Sequence, residues 1–352
     1  MTEFKTWLEL PPLNIDIHAQ SAAEQRQQQL TKPSGSLGQL EDIAISLAAM
    51  QATAQPKIEQ IQITVFAADH GIVAEGISAF PQAVTVEMVK NFSRGGAAIS
   101  VLATQTNAHL EVFNMGTVSP IESLNGVHDH RIAAGTNNFL KTSAMTSSQC
   151  QQALLVGSEH IKQLKSKGVD LFIGGEMGIG NTTSATAIAS ALLKINPLEL
   201  TGAGTGLNKT EILHKAAIIQ QALNRHNGRL NLPLAILEHL GGFEIAALAG
   251  AYLCCAKVGL PVLVDGYIST VAALMAESLC AGSKKWFLYS HQSSELGHKI
   301  ILNYLAAKPL LNIGMRLGEA SGAAAAIPLI KLSCALHNSM ATFAEAAVSE
   351  KT

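Results

Sequence analysis

Charge is what this sequence has least of. Of its 352 residues only 14% are Asp, Glu, Lys or Arg, against about 25% in an ordinary globular chain. The 24 Lys and Arg are offset by 26 Asp and Glu, a net charge of -2. No basic run is long enough to follow a phosphate backbone, which excludes nucleic acid and anionic membrane surfaces as partners. Aromatics are scarce as well, at 2 Trp, 4 Tyr and 10 Phe, too few for a base-stacking platform. The five cysteines (Cys150, Cys254, Cys255, Cys280 and Cys334) are odd in number and form no C-x-x-C. That speaks against a disulfide framework and a zinc site, and for small buried hydrophobes in a reducing compartment. Long apolar runs are missing too: the uncharged stretch between Glu244 and Lys257 is 12 residues, short of the roughly 18 that a spanning helix needs. Glu3, Lys5 and Glu9 break up the first ten residues, where a signal peptide would carry its apolar region. The expectation is a cytoplasmic protein with no membrane insertion.

What is present is small and apolar. Hydrophobic residues make up 48% of the chain and glycine accounts for 29 residues, a mild excess over about 7%. At roughly 150 residues per domain the length suggests two domains, or one large α/β domain with an appendage. The first 55 or so residues are polar and helical in pattern, ending in a turn, Pro33-Ser34-Gly35-Ser36-Leu37-Gly38, and a helical run from Leu40 to Met50. A rhythm then sets in of short β-like run, cluster of small residues, and Ala-rich helical run. The β-like runs are Ile61–Phe66, Leu110–Phe113, Val169–Ile173, Pro261–Val264 and Trp286–Tyr289. Strands alternating with helices imply a mostly parallel sheet, and in such sheets ligands bind beyond the carboxyl ends of the strands, where the small-residue clusters fall.

Two of these clusters invite a phosphate. Gly175–Thr183 follows a strand and opens a helix; Thr201-Gly202-Ala203-Gly204-Thr205-Gly206 precedes a helical run from Asn208 to His226, with Lys215 two turns in. Backbone without Cβ lets N–H groups converge on an anion, although tight turns need the same glycines. A Walker A loop is excluded because the chain has no Gly-Lys dipeptide. The dinucleotide fingerprint is nearly met at Gly178-Ile179-Gly180-Asn181-Thr182-Thr183, but Thr replaces the third glycine. The only adjacent acidic pair, Glu41-Asp42, lies in the appendage, which disfavours a magnesium-pyrophosphate mechanism. His128-Asp129-His130 has a metal-like look but lies in what reads as a solvated polar loop without a third ligand. Asp69-His70-Gly71 and His291 to His298 sit at strand ends, either to contact a ligand or to fix the loops. Glu176 and Glu319 are embedded in glycine-rich strand ends, where partial burial would raise a carboxyl toward neutral pH and suit it to proton abstraction. Each could equally accept N–H groups of its own loop.

Taken together, Lys32–Glu41, Ala68–Ile72, Phe80–Thr85, Gly95–Ile99, Gly174–Thr183, Thr201–Leu207, Gly241–Ala246, Val264–Ser269 and Arg316–Gly322 closely resemble the nicotinate-nucleotide:dimethylbenzimidazole phosphoribosyltransferases. The resemblance runs in order over roughly residues 30 to 330. It implies transfer of the phosphoribosyl group of nicotinate mononucleotide to 5,6-dimethylbenzimidazole, giving α-ribazole 5′-phosphate and nicotinate in cobalamin nucleotide-loop biosynthesis. It implies no cofactor and no metal, because the pyridinium of the donor already carries the charge that lets it leave.

Carried over residue by residue, the resemblance makes Glu319 the catalytic base and sets Glu176 against the ribose or the reacting ring. Gly178, Gly180, Asn181, Gly202, Gly204 and Lys215 would hold phosphate and ribose, with Ser293 or Ser294 assisting. Phe80, Pro81, Gln82 and Leu317 would line the base pocket. The implied fold is a Rossmann-like parallel sheet flanked by helices (residues 56–304) with a smaller helical domain built from both chain ends (residues 1–55 and 305–352), in a homodimer. Two other readings compete: a dinucleotide-dependent oxidoreductase, from the near-fingerprint at Gly178, and a nucleotide sensor whose glycine loops bind without turnover.

Overall fold

The computed structural model describes residues 2–349, with the backbone alone at Thr2 and Glu3. Three helices come first, α1 (Thr2–Glu9), α2 (Ile17–Gln29) and α3 (Gln39–Gln51), followed by β1 (Ile61–Ala68), α4 (Ala83–Arg94), α5 (Ala98–Thr106), β2 (His109–Gly116) and β3 (Val127–Asp129). Then come α6 (Ser147–Ser166), β4 (Leu171–Met177), α7 (Asn181–Leu193), α8 (Pro197–Leu200), α9 (Lys209–Arg225), α10 (Pro233–Leu240) and α11 (Phe243–Val258). The remainder is β5 (Val262–Val264), α12 (Tyr267–Leu279), β6 (Phe287–Tyr289), α13 (His298–Leu305), α14 (Ser321–Ser339) and α15 (Phe343–Ala346).

The strands form one six-stranded sheet in the order β3-β2-β1-β4-β5-β6, and every pairing is parallel. This is the doubly wound order, which reverses between β1 and β4 and opens a crevice beyond their carboxyl ends. Both faces are covered, so β1 is mostly apolar and all eight of its residues are buried, Gln62 and Thr64 included. Successive residues of β4 show the two layers. A Cβ on Gly174 would meet Leu248 and Tyr252 of α11, whereas one on Gly175 would meet Glu319 and Ala320 at the start of α14. On the first face α11 is buried all round from Phe243 to Ala256. It presses against α6 at Gly157 and Gly250, where any side chain would strike the backbone of the other helix.

The chain ends meet. α14 packs on α3 and α5, Arg26 of α2 donates to the carbonyls of His337, Asn338 and Met340, and Leu30 bridges Thr342. Residues 1 and 350–352 of the expected terminal domain lie outside the described residues. Among the described residues no helix is long and apolar enough to cross a membrane.

Two expectations need correction. His128-Asp129-His130 is not a loop: His128 and Asp129 belong to the edge strand β3, whose register pairs Val127 with Val112 of β2. Only that pairing makes it a strand, since its composition is polar. Glu176 is likewise on strand rather than loop, because β4 runs on through the glycines to Met177, held by pairing of Glu176 with Phe66 of β1.

Candidate active site

A cleft of about 470 Å³ opens beyond the carboxyl ends of the strands. Four strand ends surround it: Glu176, one residue before the end of β4, and His291, Ser293 and Glu295, after β6, line it, whereas Asp265 after β5 and Asp69 and His70 after β1 are buried behind the wall. The fifth contribution is the segment Arg316–Glu319 leading into α14.

Glu176 and Glu319 are brought together here, 5% and 6% exposed. Glu176 Oε2 accepts from Asn181 Nδ2 at the start of α7. Burial, the nearby charges of Asp265 and Glu244, and a smaller push from Glu319 hold its carboxyl well above the usual range. Glu319 is pushed up to about 7, first by burial and then by Asp265, against the opposing Ile99 N–H. Its Oε2 has no hydrogen-bond partner among the described residues. A buried, half-satisfied carboxyl that titrates near neutrality is equipped to take a proton from a ligand.

The backbone at Glu319 is strained. Gly318, Glu319 and Ala320 all have positive φ, at 86°, 62° and 67°, a conformation costing about 1–2 kcal/mol for a residue with a side chain. Glycine is needed at 318 because a Cβ there would also collide with Glu176 Oε1. Asp265 holds the strained turn in place. Its Oδ1 accepts from Ala323 N at 2.8 Å, capping α14 from a distant strand because Ala320 at the cap position has no side-chain acceptor. Burial raises the Asp265 carboxyl, while His291 and the Ala323, Gly266 and Gly322 amides oppose the rise. His291 Nε2 lies 3.8 Å from Asp265 Oδ1.

The other side of the cleft gathers hydrogen-bond donors and a buried lysine. Lys215 of α9, 1% exposed, donates to Thr182 Oγ1 at 2.7 Å. Burial lowers its ammonium to about 8, and Glu295 pulls the other way. Gly204 is clamped on both sides, its N–H donating to Glu295 Oε1 at 3.0 Å and its C=O accepting from Arg316 Nη1 at 3.2 Å. The N-terminus of the 13-residue helix α7 opens on the same space with Asn181 and Thr182. His298 anchors the floor: its Nδ1 accepts from Ser293 N at 2.8 Å, so its Nε2 carries the proton given to Thr270 Oγ1. Burial holds this ring neutral, with a pKa lowered to about 3.

Of the residues singled out from the sequence, Phe80, Glu176, Gly178, Asn181, Gly204, Ser293, Leu317 and Glu319 line the cleft. Phe80 and Leu317 stand at its mouth, 50% and 57% exposed. Lys215 and Gly202 lie one layer behind, backing Thr182 and Glu295. Four do not reach the wall. Gly180 faces Val73, Pro81 is exposed ahead of α4, Gln82 turns to donate to His70 O, and Ser294 is exposed with its N–H on Met315 O.

Sequence reasoning gave no role to Asp265, Glu295 or Thr182. The signal for Asp265 was its position directly after an apolar run and before a glycine. Nothing in the sequence tied Glu295 to a loop 91 residues away.

A doubly wound sheet with raised carboxyls and a glycine loop at its carboxyl end is the arrangement of an α/β enzyme that binds its ligand in the crevice of the sheet. Residues 13–348 match the family model described as phosphoribosyltransferase. The chain is 55% identical over 336 residues, 96% of each chain, to nicotinate-nucleotide–dimethylbenzimidazole phosphoribosyltransferase of Pseudomonas aeruginosa strain PAO1. It is 54% identical over 346 residues to the enzyme of that name from Pseudomonas fluorescens strain SBW25, covering 98% and 99% of the two chains. The crystal structure of the Thermus thermophilus enzyme of that name superposes with a TM-score of 0.90 at 38% identity, covering 96% of this chain and 100% of that one. A CobT structure from the same organism gives 0.91 at 39% identity, covering 95% and 100%. The chain belongs to the nicotinate-nucleotide–dimethylbenzimidazole phosphoribosyltransferase family.

Proposed function

We propose that the protein transfers the phosphoribosyl group of nicotinate mononucleotide to 5,6-dimethylbenzimidazole, releasing nicotinate and forming α-ribazole 5′-phosphate for the nucleotide loop of cobalamin. The observation that carries the mechanism is the Glu319 carboxyl, 6% exposed and raised to about 7. One benzimidazole nitrogen attacks the anomeric carbon as the bond to the pyridinium nitrogen breaks, and nicotinate leaves with that electron pair. The ring becomes cationic and its other N–H gives its proton to Glu319. A base whose pKa lies near the working pH is suited to that transfer.

Glu176, fixed by Asn181, faces the ribose or the reacting ring. Lys215 answers the phosphate through Thr182 and Gly204, with Gly178, Gly180, Gly202, Ser293 and Ser294 shaping the surrounding backbone. Phe80 and Leu317 flank the acceptor base, with Pro81 and Gln82 shaping the segment behind Phe80. The same reading includes a cytoplasmic homodimer with no nucleic-acid partner, and a terminal helical unit of residues 1–55 with 305–352, which sedimentation and limited proteolysis respectively would test.

The decisive assay incubates the purified protein with both substrates in EDTA and looks for α-ribazole phosphate by mass. No product, or product only after magnesium is added, overturns this metal-independent transfer.

A further inference from the structure

Glu295 is an unexpected neighbour for a phosphate site. Its residue is 8% exposed, its Oε1 accepts from Gly204 N at 3.0 Å, and its Oε2 fills the place a Cβ would take at Gly202. Lys215 Nζ lies on the other flank of the same loop, 3.1 Å from where a Cβ of Gly204 would sit. Backbone amide and buried ammonium are the donors a phosphate seeks. Here a carboxylate is on the amide and supplies the nearest countercharge to the lysine, whose burial without one would be costly.

We propose that the Glu295 carboxylate stands in for the substrate phosphate and competes with it for the Gly204 N–H, so that this one residue sets the affinity for the phosphate-bearing substrate. The inference rests on reading the Gly202–Gly204 and Lys215 region as the phosphate site. The geometry allows the exchange without dismantling the loop, because Arg316 Nη1 still holds the Gly204 carbonyl and Thr205 Oγ1 still accepts from Ala79 N. A phosphate beside Glu295 meets a like charge in a place of low dielectric, so the carboxylate must turn away or affinity suffers.

Glu295→Gln keeps the shape and an acceptor oxygen while removing the charge. At pH 6.5, where Lys215 stays protonated, its KM for nicotinate mononucleotide should fall about tenfold, and inhibition by inorganic phosphate should strengthen by a like factor. Unchanged or weaker binding of both overturns the proposal. A crystal structure of the unmodified protein with nicotinate mononucleotide gives a second test: the Gly204 N–H should point to a phosphate oxygen. If Glu295 keeps that N–H with the nucleotide bound, the proposal fails. Lys215→Met separates the two ideas. If it leaves KM and phosphate inhibition unaltered, the phosphate site itself is wrongly assigned. If it raises KM while Glu295→Gln lowers nothing, only the role of Glu295 falls.

Discussion

The two ends of the sheet carry cavities of unlike character. The larger, about 830 Å³, lies at the amino end among α2, α3 and the residues leading into β4, β5 and β6. Its polar groups are at rest: Asp170 Oδ2 accepts from the amides of Glu59 and Gln60, Lys165 Nζ donates to Gly259 O, and Trp286 Nε1 to Leu13 O. The smaller, at the carboxyl end, is walled by buried carboxyls raised by burial first and then by the nearby Asp265 charge, and one of them sits on a turn of three successive positive φ angles. Volume does not mark the functional end. Unsatisfied charge and strained backbone do, because a fold tolerates them only where the surrounding structure holds them in place.

The contrast between the two ends is tested hardest at Glu319. Glu319→Gln should lower kcat by about 100- to 10,000-fold, the usual contribution of a positioned base, while both substrates still bind by calorimetry. Near-normal turnover would remove Glu319 from the base role. In the unmodified enzyme kcat/KM should fall as pH drops below about 7, where this carboxyl takes up a proton.

Stability should move the other way. A carboxyl raised by folding costs nothing below its unfolded pKa of about 4.3, where it is neutral in both states; the penalty grows as pH rises from there to about 7 and is present in full above it. Glu319→Gln should therefore raise the thermal midpoint at pH 8 and leave it unchanged at pH 4. A gain at both pH values would mean that charge burial is not the cause.

Lys215→Met should raise the KM for nicotinate mononucleotide about 10- to 100-fold, the equivalent of one charge-assisted hydrogen bond, and leave the KM for the acceptor base nearly as it was. Equal effects on both would show that the lysine supports the cleft as a whole. Gly318→Ala meets both a left-handed backbone and Glu176. It should cost about 1–3 kcal/mol in urea unfolding and disturb turnover along with stability. At the opposite end Gln51→Ala, which removes a pair of hydrogen bonds to the Lys57 backbone, should cost no more than about 1 kcal/mol and leave kcat/KM within twofold. A larger loss would mean that the amino-end cavity is coupled to the chemistry.

The sequence showed the sheet better than its edges. Apolar runs buried on both faces announce themselves, and all five became strands. β3 could not, because three residues beginning with Val127 and ending with Asp129 become a strand only through pairing with β2. Glycines that read as the end of a strand proved to be its continuation, since a central parallel strand needs partners more than side chains. The two carboxylates were legible because charge is rare and theirs is set among glycines. Asp265 and Glu295 were not: each acts on backbone amides 58 and 91 residues away, separations that composition and periodicity do not encode.

The joining of the chain ends bears on how the molecule is made. α2 finds its carbonyl partners 311 or more positions later, and the turn bearing Glu319 is capped by Asp265 only once α14 exists. α2 has α3 as a local partner, but its contacts with the carbonyls after α14 close only when the far end of the chain is in place. The finished cleft therefore depends on contacts between the two ends of the chain as well as on the sheet.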